Sequence, residues 1–240
     1  NGALMRTAIV GLTRLDHREA TADAARKVAG LTHADVLAAD SCVLWSEAVR
    51  RAVRDGVFDL QGGLDLIDRD RRADWAHRIE AAEAQAPETF QPNGFTVTAL
   101  QATWSAIVHT GREVQGPEHV TAALHRAIGI GHDTDTVAAI VGGLLGARYG
   151  VSALPLDLQR RVHGWPGMRS RDLVRLAVLT MRQGQDDAQG WPTAYVEPNR
   201  PARLAAPLPS DPGVLLGTYA DLRDAAQLDV DAIVSLCRVG

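Results

Sequence analysis

From Val137 to Tyr149 the chain reads VAAIVGGLLGARY, a stretch in which only Arg148 is charged. A helix built there is apolar or small on nearly every side, so it is expected to be central, enclosed by other elements. The chain supplies the neighbours. Helical spacing of apolar positions predicts helices over Asp16 to Val28, Asp35 to Arg54, Asp74 to Ala86, Gly94 to Thr110, Pro117 to about Ile128, Leu156 to Val162 and Ser170 to Arg182. Their ends carry the expected punctuation: Gly30, Asp55–Gly56, Pro87 and Gly111 as stops, Pro117 at a first turn and Ser170 as a cap. Aromatic residues make up only 5% of the sequence, which favours helices over sheets. Residues 60–67 are short and ambiguous.

After Arg182 the pattern breaks. Segments QGQDDAQGWP and EPNRPARLAAPLPSDP have no helical period and read as a surface loop or linker. Beyond them, Gly213 to Leu216 and Ala232 to Leu236 are expected to be short buried strands around a helical segment at Ala220 to Ala226. The organisation expected is a helical domain over 1–182, a linker over 183–212 and the start of a small α/β domain over 213–240.

A net charge of −4 and a pI near 6.1 leave no broad basic field for nucleic acid, which is not an expected partner; any polyanion has to be recognised locally. No apolar run approaches the length needed to span a bilayer, and no signal-peptide pattern opens the chain, so no membrane partner is expected. The two cysteines, Cys42 and Cys237, have no metal-site spacing, and a reducing cytoplasm is the expected compartment.

The chemistry-bearing cluster is His132, Asp133, Thr134, Asp135 and Thr136, at the entry to the apolar helix. Two carboxylates and a hydroxyl on one short turn are oxygen donors suited to a hard cation such as Mg²⁺ or Mn²⁺. The same residues also suit plain helix capping, since Asp and Thr are favoured at an N-cap and carboxylates are stabilised near a helix N-terminus. Spacing alone favours the cap. His132, a lone imidazole beside carboxylates, reads as a loop residue.

Gly131 to Gly150, GHDTDTVAAIVGGLLGARYG, resembles the C-terminal signature of the ADP-ribosylglycohydrolase family, a Gly-x-Asp-x-Asp-Thr turn followed by a small-residue helix. Asn1 to Arg6, NGALMR, is similar to the family's NGSLMR loop, Thr32–His33 to its TH pair, and Asn93 to Phe95, with Val97, to its helix-start pattern. The ordered segments cover roughly residues 1–182. The resemblance implies an all-α, compact orthogonal helical bundle. It further implies two Mg²⁺ ions, with Mn²⁺ as the substitute, held by Asp133, Asp135 and Thr136, Asp135 bridging. Asn1, Gly2, Ala3 and Gly131 would form the ADP-ribose loop, and His33 would approach the ribose and diphosphate. Ala3 stands where the family more often has Ser, which removes a hydroxyl and leaves the backbone contact.

Family members also carry a glutamate in an early helix and a Thr-Asp-Asp segment that completes the metal pair. The only adjacent aspartates here, Asp186 and Asp187, lie in the linker and do not match it. The expectation is that this N-terminal half-site, with the general acid/base, precedes NGALMR in the parent protein and that the present chain alone is inactive. The tail from Gly213 is similar to the first strands of dual-specificity-phosphatase-like domains, with Cys237 a core residue rather than a nucleophile. The expected activity is hydrolysis of the glycosidic bond joining ADP-ribose to a protein side chain or other acceptor, the partner being ADP-ribose or an ADP-ribosylated protein. The alternatives are a non-catalytic ADP-ribose-binding module and a structural domain attached to the phosphatase-like segment.

Overall fold

The structure, a computed structural model, describes residues 1–185, 205–208, 210–218, 221 and 225–234. The chain divides into two compact units, Asn1–Pro192 and Thr193–Gly240. The first is an all-α bundle. Its principal helices are α1 (Arg18–Gly30), α2 (Val36–Arg54), α3 (Arg69–Ala84), α4 (Thr96–Glu113), α5 (Glu118–Gly129) and α6 (Thr134–Tyr149), followed by the shorter α7 (Leu156–Arg161) and α8 (Ser170–Met181). Tight 3-10 turns at Leu4–Arg6 and Ala8–Leu12 open the chain, and another spans the ambiguous stretch as Gln61–Leu66.

Helices α2, α4 and α6 pack on one another, while α1 lies on α2, α3 on α4, and α5 on α4 and α6. The expected centrality of α6 is present in altered form. Val137, Ile140, Val141, Leu144 and Leu145 are buried, whereas Ala139 is exposed and Gly142, Gly143 and Gly146 are half-buried. Alanine and glycine read as apolar but carry little area, so leaving them near water costs little. At Gly143 the reason for having no side chain is geometric: a Cβ there would stand 2.7 Å from that of Ala8. The turn Ala8–Leu12 thereby lies directly on the helix.

Two helix ends differ from expectation. Gly111 does not stop α4, which runs on to Glu113; it opens a notch for the ring of His119, whose Cε1 would be 3.0 Å from an added Cβ. Ser170 is the first residue of α8 rather than its cap; the cap is Arg169, whose backbone N–H is accepted by Asp172 at 2.8 Å. The sequence RVHGWPGMRS also forms a two-residue antiparallel hairpin, β1 (His163–Gly164) and β2 (Met168–Arg169), that periodicity did not predict.

In the second unit, the strand expected at Gly213 to Leu216 is β4 (Asp211–Leu216), paired antiparallel with β3 (Ala206–Leu208). It is exposed along its length rather than buried. Residues 232–234 carry no strand and Val234 is exposed; the rest of that expected strand, Cys237, Asp186 and Asp187, and most of the expected helix at 220–226 lie outside the described residues. Among the described residues no helix is long and apolar enough to cross a membrane.

Candidate functional site

Three loops that are distant in sequence meet at the start of α6. The first is Asn1–Ala3, held against the bundle by the Leu4–Arg6 turn, whose Leu4 is fully buried. The second is Gln91–Phe95, entering α4, and the third is Ile130–Asp133, entering α6. Asn93 is completely buried and serves as the clamp. Its amide nitrogen donates to the Gly131 carbonyl at 3.1 Å and its carbonyl oxygen accepts from the Asp133 backbone N–H at 2.9 Å, one bond on each side of His132.

That clamp holds an unusual backbone. Gly131 and His132 both have positive φ, 84° and 62°. Glycine takes this conformation freely, while a histidine does so at some cost. Gln91 bears on both sides of it, donating to the Ile130 carbonyl and placing its Oε1 3.1 Å from Nε2 of the exposed His132. Sequence reasoning treated Asn93 as a mark of the fold; here it is the residue that shapes the acidic turn. An Asn three residues before the first residue of a helix, with a glycine after it, is the available signal.

Asn1 joins the first loop to the other two. Its side-chain amide donates to the Asp133 carboxylate Oδ2 at 2.6 Å and to the Asn93 carbonyl at 3.0 Å, and its backbone nitrogen donates to Gly94 at 3.3 Å. Asp133 occupies the N-cap position of α6 yet makes no side-chain cap hydrogen bond to the helix. The capping account therefore does not explain its carboxylate, which is turned to Asn1. That amide chiefly holds the Asp133 carboxyl below the usual carboxylate range, against an opposing effect of burial. The group is an anion at neutral pH. Asp135 is exposed, and Thr136 is buried with its hydroxyl donating to the Met5 sulfur at 3.6 Å, a weak partner.

His33 reaches the same place from the α1–α2 connection. A Cβ on Gly2 would lie 3.3 Å from the His33 Cε1, so the absence of a side chain at Gly2 is what lets the ring rest on this loop. Arg6 donates to the Thr32 hydroxyl, which is then free to donate to His33 Nδ1 at 2.8 Å. Nδ1 is therefore engaged by Thr32, and Nε2 is the ring nitrogen left without that contact. Ala3 is buried, its methyl in the core. Asn1, Gly2, His33, Gly131 and Asp133 are thus brought together by contacts, with Asp135 and Thr136 on the adjoining first turn of α6.

The donor set suits a hard cation on one side only. Two carboxylates and one hydroxyl are all oxygen, and one carboxylate is held ionised, but among the described residues no group of three or more His, Cys, Asp and Glu could by itself hold a metal ion. Magnesium with its near-octahedral demand would need further ligands from water, substrate or additional protein groups.

A family model for ADP-ribosylglycohydrolases matches residues 1–189. A solved structure named "ADP-ribosylglycohydrolase-related protein complex" is similar to this chain at 26% identity, over 77% of this chain and 60% of the other, with a TM-score of 0.57. The chain therefore spans about 60% of the length of that relative. A search of curated proteins finds no match. The match over residues 1–189, with the likeness in structure, shows that the chain belongs to the ADP-ribosylglycohydrolase family.

Proposed function

We propose that the natural protein is a divalent-metal-dependent ADP-ribosyl hydrolase and that this chain supplies one side of its site. The carrying observation is the 2.6 Å bond between Asn1 and Asp133, which joins two loops far apart in sequence and turns the carboxylate away from a capping role. Asp133, Asp135 and Thr136 are the metal-holding residues in this reading, and two Mg²⁺ ions, or Mn²⁺, are the expected occupants. Bound cations would orient the ribose hydroxyls and polarise a water, the group that replaces the acceptor at the anomeric carbon as the C1–acceptor bond breaks.

The protein's own residues orient the substrate. His33, its Nδ1 engaged by Thr32, offers its other ring nitrogen, Nε2, to a ribose hydroxyl or a diphosphate oxygen. Asn1 and Asn93 keep the Asp133 turn in one conformation, so the carboxylate meets its ligand without reorganisation. The remaining ligands and the general acid/base belong, in this proposal, to the part of the family fold that this chain does not span. The substrate is ADP-ribose joined to a protein side chain or other acceptor, in a cytoplasmic setting, and the phosphatase-like character of the tail remains part of the same proposal.

Asp135 gives the cleanest test because it is exposed, so its loss does not disturb the core. In the natural full-length polypeptide, Asp135→Ala should abolish metal-dependent release of ADP-ribose while leaving the melting temperature within about 2 °C. Undiminished turnover by that variant removes the assignment.

A further inference from the structure

The helices up to α6 bury their apolar side chains, but α7, the β1–β2 hairpin and α8 do not. No residue of these three elements is buried, and Leu156, Leu158, Val162, Leu173, Leu176 and Met181 are all exposed. Trp165, in the turn of the hairpin, is 91% exposed. On α8, Leu173, Leu176, Ala177 and Met181 recur at helical spacing along one side, and Arg171 and Arg175 follow one another by one turn along another. The helix touches the Ala8–Leu12 turn, yet that contact leaves Leu173, Leu176 and Met181 in water. An apolar patch of this kind on a folded unit marks a place where something else binds.

Its shape and charge describe the occupant. Two shallow clefts lie along α8. One, of about 310 Å³, is lined by Val151, Leu156 and Val174 together with Arg160 and Arg171; the other, of about 380 Å³, is lined by Met168, Leu176 and Leu179 together with Arg175. Asp172 also borders the second cleft, where its carboxylate accepts the Arg169 backbone N–H. Each cleft thus joins an apolar lining to a guanidinium. Residues 156–182 hold six arginines, two aspartates and no glutamate, a net charge of +4, whereas the rest of the chain carries −8. Arginine, tryptophan and methionine with few carboxylates is the composition of a protein–protein contact.

We propose that the face formed by α7, the hairpin and α8 is a docking surface for an acidic protein segment bearing two large apolar side chains. One side chain enters each cleft, and carboxylates beside them meet the arginines. Trp165 stands next to the second cleft, which Pro166 and Gly167 also line, and supplies an aromatic anchor. A second copy placed symmetrically on this face would set +4 against +4. A flat bilayer would leave the clefts empty, and a nucleic-acid backbone would satisfy the arginines while leaving the leucines in water. The surface stands apart from the ADP-ribosyl reading and does not depend on it.

The probe is a synthetic peptide with two leucines one helical turn apart among glutamates, titrated with the natural full-length polypeptide and followed by fluorescence anisotropy. It should bind at least about tenfold more tightly than the same peptide with lysine for glutamate or alanine for leucine, and added salt should weaken it. Trp165→Ala and Arg160→Glu, both at exposed positions where substitution leaves the fold intact, should each weaken it at least about tenfold. Equal binding of the lysine peptide, or no binding of any peptide, overturns the proposal. So does tighter binding to phosphatidylserine vesicles or to single-stranded RNA than to the acidic peptide. A concentration-dependent doubling of mass that Trp165→Ala abolishes would put a second copy on the face and overturn it as well. In oxidative footprinting of the unaltered polypeptide, Trp165 and Met181 should be labelled heavily alone and protected by the peptide. Protection without peptide would make the face an internal joint of the natural protein and end the proposal.

Discussion

His119 illustrates how a single buried titratable residue is made tolerable. It is 2% exposed, its Nε2 is 2.9 Å from the Ile107 carbonyl and its Nδ1 is 3.2 Å from the Tyr149 hydroxyl. Since the carbonyl can only accept, Nε2 carries the proton and the Tyr149 hydroxyl donates to Nδ1, which describes a neutral ring. Phe58 and Tyr149 meet it edge-on, with centroids 5.7 and 5.9 Å away. Burial lowers its pKa from the ordinary 6.5, and the Ile107 carbonyl offsets this only in part. The folded pKa thus lies below the unfolded one, so the unfolded chain binds the proton more readily. Stability is complete above pH 6.5, falls as pH drops through the window from 6.5 to the lowered folded value, and loses nothing further below it. Urea midpoints measured from pH 7.5 down to pH 5 should decline, and His119→Gln, which keeps a donor for Ile107 but cannot titrate, should flatten that decline while lowering the midpoint at pH 7.5. An identical pH profile in the variant would place the dependence on other histidines.

At the level of elements, the glycines of α6 separate into kinds that sequence alone merges. Gly143 and Gly146 look alike in GGLLG. Gly143 touches the Ala8 turn, where an added Cβ would come within 2.7 Å of a rigid Cβ; nothing lies within 4 Å of one added at Gly146. Both sites gain about 1 kcal/mol of helix propensity on going to alanine. Gly146→Ala should therefore stabilise by up to about 1 kcal/mol, while Gly143→Ala should be net destabilising by about 1–2 kcal/mol as the turn is forced off the helix. Chemical denaturation of both variants decides this, and the same sign for both would mean that the Ala8 turn yields freely. The contrast also marks what was legible. Helix locations came through because the 3.6-residue period reports burial directly, and the Gly-x-Asp-x-Asp-Thr turn stood out by its composition. Gly111 was misread as a stop because a notch for His119 depends on a residue from another helix, and exposure of β4 was missed because Val214 to Leu216 are apolar whatever faces them. The role of Asn93 is not legible in the sequence, since its two bonds to the α6 entry exist only where α4 and α6 lie side by side.

For the molecule as a whole, the distribution of the site over the chain matters most. Asn1, Gly2, Ala3, His33, Gly131, Asp133, Asp135 and Thr136 all belong to the unit Asn1–Pro192, and none to Thr193–Gly240. A ligand that binds only the folded helical unit stabilises that unit by mass action, by about 2.7 kcal/mol at a hundred times its dissociation constant. For a unit of this size that corresponds to a rise of about 5–10 °C in melting temperature. ADP-ribose with Mg²⁺ should thus raise the melting transition of the helical unit, with amide exchange slowed most at residues 93–95 and 130–136, because the Asn93 clamp and the strained Gly131–His132 backbone open together. Exchange in β3 and β4 should stay unchanged. Protection appearing in those strands instead, or a shift that persists in full in Asp133→Asn, would mean that the ligand is held elsewhere and that the meeting of the three loops at α6 is an architectural joint.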